Sequence, residues 1–175
     1  MDIKSCHIQN IKAIGSDTIN LNLAEDIITA IGPNGVGKSS LLTAISLFFT
    51  PYKTPDPSVF HQYNTDKEHS AEITVTFHHL TDTDTSYEPL ADYLYTDADE
   101  EQVWTLTKRF FKDPQENRIT SEYLIYNASS EQREQLASDT NLRIDWLFEP
   151  SQMQWIHVPA QAAVCEGEES PFSQL

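Results

Sequence analysis

Residues Gly32, Pro33, Asn34, Gly35, Val36, Gly37, Lys38 and Ser39 fit the pattern G-x-x-x-x-G-K-[ST], whose chemistry is the binding of a phosphate chain. Glycine at 32, 35 and 37 allows backbone torsions that a Cβ would forbid, so successive N–H groups can point into one concavity. A helix opening near Lys38 adds its free N–H groups and the positive end of its dipole. In that setting Lys38 neutralises the β- and γ-phosphates, and the Ser39 hydroxyl is a ligand for Mg²⁺. Ser40 follows and completes the candidate phosphate-binding run. The bland alternative is a glycine-rich turn that happens to precede a helix, and the flanking sequence speaks against it.

Those flanks are a strand and a helix. Ile27–Ile31 is a short β-branched run of the kind expected for a strand buried on both faces. From Ser40 to Phe49, Leu41, Leu42, Ile45, Phe48 and Phe49 recur at helical spacing on one stripe. Upstream, residues 3–12 read as a first strand and Ile19, Leu21 and Leu23 as a second, half-exposed one, with Gly15-Ser16-Asp17 turning between them. Pro51, Pro55 and Pro57 end the helix and enforce an irregular stretch.

Downstream, Ala71–Leu80 alternates as a strand, with Ile73, Val75 and Phe77 on one face. Val103–Phe111 and Ile119–Tyr126 read as two strands of a hairpin with a long loop. Glu131–Ser138 is expected to be a short polar helix started by Ser129, and Trp155–Val158 a last strand stopped by Pro159. The implied fold is α/β, a P-loop NTPase with an antiparallel β lobe. Residues 1–50 form the P-loop core, 51–154 mainly the antiparallel lobe and its excursions, and 155–175 a return strand and exit.

The chain has 175 residues, enough for one domain with a real core. Eleven Lys and Arg face 27 Asp and Glu, a net charge of -16, so non-specific attraction to DNA or to an anionic membrane is not expected. Thr81–Glu101 holds eight acids and no base, and reads mostly as a solvated excursion that Leu90, Tyr93 and Leu94 could seat as a short helix. Cys6 and Cys165 make no metal or disulfide framework. His78-His79 has no partner at a metal-ligand spacing; alternation sends one ring inward and one outward, which reads as packing and surface histidines. With no apolar leader and no membrane-length apolar run, the expected location is cytoplasmic.

A P-loop ATPase also needs an Asp at the end of an apolar strand to hold Mg²⁺, and often a Glu after it to orient the attacking water. Asn141–Asp145 is the faint candidate, but Arg143 interrupts the run and Trp146 stands where a Glu is wanted. No Leu-Ser-Gly-Gly-type signature is present. The sequence supplies a phosphate cradle without a convincing catalytic residue.

The opening Ile8-Gln9-Asn10-Ile11-Lys12-Ala13-Ile14, the loop Gly32–Ser39 and Ser40-Leu41-Leu42 resemble the ABC-class ATPase heads of the RecF/SMC group. More narrowly, the chain resembles the OLD-family (overcoming lysogenization defect) endonucleases. Glu72–Thr81 is similar to a strand of that family's antiparallel lobe, and Ile156–Ala160 and Ser170-Pro171-Phe172 to its later segments. Gln161 and Ala162 stand where Leu-Arg usually follow, so no role carries over from the family's arginine. The resemblance implies that Lys12 lies near the nucleotide phosphates, that ATP with Mg²⁺ is the ligand, and that heads pair as a homodimer or higher oligomer across bound nucleotide. It further implies a continuation beyond Leu175 into a dimerisation arm and a Toprim nuclease domain, through which DNA would be engaged. A RecF/SMC-like repair head without nuclease, and a short non-catalytic nucleotide-binding regulator, are the competing readings.

Overall fold

A computed structural model of the chain describes residues 1–25, 28–50, 55–64, 69–86 and 88–136. Strands β1 (Asp2–Gln9), β3 (Ala71–His78), β5 (Gln102–Lys112) and β6 (Ile119–Asn127) form the middle of one sheet. Strand β2 (Ile19–Asn22) lies beyond β1, β7 (Gln132–Gln135) lies beyond β6, and β4 (Tyr95–Thr96) pairs with the start of β5. Every strand pairing among the described residues is antiparallel.

Register sorts the side chains onto two faces. Ala71, Ile73, Val75 and Phe77 stand opposite Phe110, Lys108, Leu106 and Trp104, and Cys6 and Ile8 stand opposite Val75 and Ile73. All of these are buried on one face, where Phe77 stacks on Trp104 at 4.6 Å between ring centroids. The other face is polar and internally bonded: Thr74 meets Thr107 at 2.8 Å and Thr76 meets Thr105 at 2.9 Å. There Glu72 is gripped by Arg109 and Arg133. Burial alone would push its carboxyl up, but the two guanidinium groups outweigh that and hold it below its usual value.

Helix α1 (Lys38–Phe48) packs on the apolar face. Its buried residues are Ser40, Ala44, Leu47 and Phe48, so the expected stripe is rotated: Leu42 is exposed and Leu41, Ile45 and Phe49 are partly buried. The small Ser40 and Ala44 let the helix approach closely, while Phe48 reaches Phe77 and Tyr123 at 6.3 and 6.5 Å. Lys108 sits beneath the helix end, donating from Nζ to the carbonyls of Leu47 and Thr50 at 2.8 Å each. It thereby satisfies two carbonyls at or just past the end of the helix that would otherwise lack partners.

Two expectations are corrected by the structure. Ile28–Ile31 is not in a strand, and Ile31 is 89% exposed. A strand needs hydrogen-bonding neighbours, and none of the described strands pairs with this run (Ile27 falls outside the described residues). Glu131–Gln135 is not helical but contributes β7, because the open edge of β6 offers backbone partners that an isolated polar turn of helix lacks. The acidic stretch is mostly exposed, as expected, with Leu90 seating a short helix in it. Thr81 forms a capping box with Asp84 at the start of α2 (Asp82–Thr85), and Leu90 of α3 (Glu88–Ala91) is fully buried. Ala71–Leu80, Val103–Phe111 and Ile119–Tyr126 all appear as strands within two residues of their expected ends. Asn141–Asp145, Trp155–Val158 and Cys165 lie outside the described residues.

Candidate functional site

The glycine run leads directly into α1. Gly35 and Gly37 take φ of 87° and 101°, torsions that strain any residue with a Cβ. Gly37 is the N-cap; no side chain caps this helix and no acid stands in its first turn. The first N–H groups and the positive end of the dipole therefore face an environment that favours an anion. Lys38 folds back over the loop, its Nζ donating to the carbonyls of Gly32 and Pro33 at 2.6 and 2.7 Å. At Gly32 the demand is for space: a Cβ there would stand 3.0 Å from Cγ2 of Val36.

The residues expected to act together are brought together with different tasks. Ser39 is exposed, whereas Ser40 is buried and its hydroxyl accepts from the Ala13 N–H at 3.3 Å. Ser40 thus ties α1 to the turn between β1 and β2. Lys12 lies along the same helix: its Nζ donates to Thr43 Oγ1 at 3.1 Å, and Thr43 donates to the Ser39 carbonyl at 2.8 Å. Its own carbonyl meets Nδ1 of His61 at 2.8 Å. Thr43 and His61 escaped the sequence reading. Thr43 was detectable, standing one turn after Ser39; His61 was not.

Beside the loop opens a cavity of about 930 Å³, lined by Lys38, Ser39 and Leu42 on one side and by Leu21, Leu23 and Ile28 on another. It runs on to Asp2, His78 and His79. Here the histidine pair divides as expected into one buried and one exposed ring, but with contacts that alternation did not foresee. His78 is buried and His79 exposed, but His79 takes a left-handed φ of 47°, and the two rings stack at 3.8 Å instead of diverging. They also have acidic partners: His78 Nδ1 lies 3.1 Å from Glu101 Oε2 and His79 Nδ1 lies 3.2 Å from Asp2 Oδ2. Lys4 holds the neighbouring acids, at 2.5, 2.6 and 2.9 Å from Asp97, Asp99 and Glu101. Hydrogen bonding from Lys4 keeps the Asp97 carboxyl below its usual value, and Lys4 followed by His78 does the same for Glu101.

A phosphate loop closing onto an uncapped helix, with an antiparallel sheet packed behind it, defines an α/β P-loop nucleotide-binding fold. The chain belongs to the AAA ATPase domain family, whose model matches residues 1–154. No curated protein sequence matches it. Among solved structures, an SMC ATPase studied for ATP-driven dimerisation and DNA-stimulated activation is similar at 15% identity and a TM-score of 0.47, over 77% of this chain and 72% of that one. The SmcHead bound to the C-winged helix domain of ScpA is similar at 14% identity and 0.45, over 77% and 37%. The Smc head domain with an extended coiled coil, bound to the C-terminal domain of ScpA and derived from Pyrococcus furiosus, follows at 15% and 0.45, over 76% and 30%. The chain thus spans about a third of the last two.

Proposed function

We propose that this chain is the ATP-binding N-terminal portion of an OLD-like ATPase-nuclease. ATP binding or hydrolysis would gate DNA cleavage by a Toprim domain absent from this chain, in phage defence or DNA processing. The observation that carries the nucleotide part is the pair of left-handed glycines, Gly35 and Gly37, holding Lys38 at an uncapped helix N-terminus. The backbone N–H groups of Asn34–Ser40 would donate to phosphate oxygens, and Lys38 would exchange its loop carbonyls for the β- and γ-phosphates. The exposed Ser39 hydroxyl fits Mg²⁺ as one hard oxygen donor, with phosphate oxygens and water as the usual remaining ligands. Lys12, tied to the same turn through Thr43, would add positive charge beside the phosphates. The OLD assignment, and adenine as the base, rest on the resemblance of the opening, central and final segments to that family.

Two such heads would face one another across bound nucleotide as a homodimer or higher oligomer, and DNA would be engaged only through parts outside this segment. The test has two arms. Titration with a fluorescent ATP analogue and Mg²⁺ should show binding that Lys38→Ala largely removes, and equal curves would end the nucleotide assignment. Expression of the reading frame beyond Leu175 should give ATP-dependent DNA cleavage. A frame with no downstream acidic Toprim cluster would end the nuclease assignment alone.

A further inference from the structure

We propose that His78, His79 and Glu101 form a binding site for a transition-metal dication of the zinc class, separate from the Mg²⁺ expected at Ser39. One ligand atom from each of the three residues lies within 4.8 Å of the others. Donors around a tetrahedral zinc, at ~2.0–2.2 Å from the ion, stand roughly 3.4 Å apart. Closing the set therefore takes movements on the order of 1 Å, which the exposed His79 and partly exposed Glu101 side chains can make. Two imidazoles and a carboxylate form the donor set of open zinc sites, with a fourth position left for water or for a further carboxylate.

The two histidine rings stack at 3.8 Å and His78 Nδ1 lies 3.1 Å from Glu101 Oε2, so these donors already stand near the separation that one tetrahedral ion requires. Asp2, Asp97 and Asp99 stand around the cluster against the single ammonium of Lys4, so the local field draws cations. Lys4 fixes Glu101 from outside at 2.9 Å, as an outer-shell partner does. The cavity reaching from Ser39 to both histidines supplies an entry path. Imidazole selects zinc-class ions over Mg²⁺, which prefers oxygen donors.

The chain comes to this point from three places in the sequence: the end of β3 with the residue after it, the turn before β5 and the start of β1. A bound ion would pin them together. Untagged protein titrated with Co²⁺, in millimolar Mg²⁺, should show one saturable site with the absorption of imidazole-ligated cobalt, displaced by Zn²⁺. His79→Gln and Glu101→Gln should each weaken binding at least ~10-fold, with their circular dichroism unchanged. His7→Gln, on an exposed strand position elsewhere, should leave it intact. Zn²⁺ should also raise the melting temperature of the wild type and not of His79→Gln. Absence of saturable Co²⁺ binding, displacement by Mg²⁺ alone, or affinity in both variants equal to that of the wild type would overturn the site.

Discussion

At Lys38 the whole phosphate reading depends on one ammonium. Charge-assisted contacts of this kind are worth ~1.5–3 kcal/mol, so Lys38→Ala is expected to weaken ATP binding by roughly 10- to 150-fold, measured by titration. Ser39→Ala should mainly lower the Mg²⁺ dependence of that binding. The glycines separate by cause. Gly37→Ala forces a Cβ into a φ of 101°, a strain of ~1–2 kcal/mol, and should lower both stability and affinity. Gly32→Ala meets only the tip of Val36, an exposed side chain that can move, and should be milder in a denaturant melt. If Gly32→Ala proves the more damaging, the backbone torsions are not what shapes the loop.

Between elements, Lys108 joins the sheet to the end of α1. Burial pushes its ammonium down to about 7 from an ordinary 10.5, so above pH 7 the unfolded chain holds a proton that the folded state releases. Stability should therefore rise with pH from about 7, by at most ~1.4 kcal/mol per unit from this group. The buried Cys6 thiol, pushed up to about 12 from 9.0, works the other way above pH 9. Denaturant melts at pH 7, 8 and 9 should show a rise in the wild type that is missing in Lys108→Met; parallel profiles would mean that Lys108 does not titrate. The sequence reading did not single out this lysine, although it shares the register of Trp104, Leu106 and Phe110 in an otherwise apolar alternation. The phosphate loop and the central strands were legible for a local reason: their residue types and spacing already carry the constraint. Ile28–Ile31, β7 and the histidine cluster were not. Whether an apolar run pairs, or a polar run joins an edge, depends on what lies beside it, and Glu101 reaches His78 across 23 positions of chain.

For the molecule as a whole, charge decides what it meets. With a net charge of -16, the segment should not shift duplex or single-stranded DNA in a gel at ~150 mM salt; tight binding would overturn that expectation. ATP turnover by this segment alone should be negligible, because the sequence supplies a phosphate cradle without a convincing catalytic carboxylate; turnover abolished by Lys38→Ala would show that one was missed. The bare Ile28–Ile31 run has a further consequence in solution behaviour. Ile31 is 89% exposed, and Val36 and Leu42 are exposed as well, so each molecule carries open apolar side chains whose contact with a second molecule is opposed by the repulsion between like net charges. Repulsion between exposed charges fades as the screening length drops from ~10 Å at 0.1 M salt to ~3 Å at 1 M. Light scattering should therefore climb as salt is added, the reverse of salting-in, and Ile31→Ser should flatten the curve.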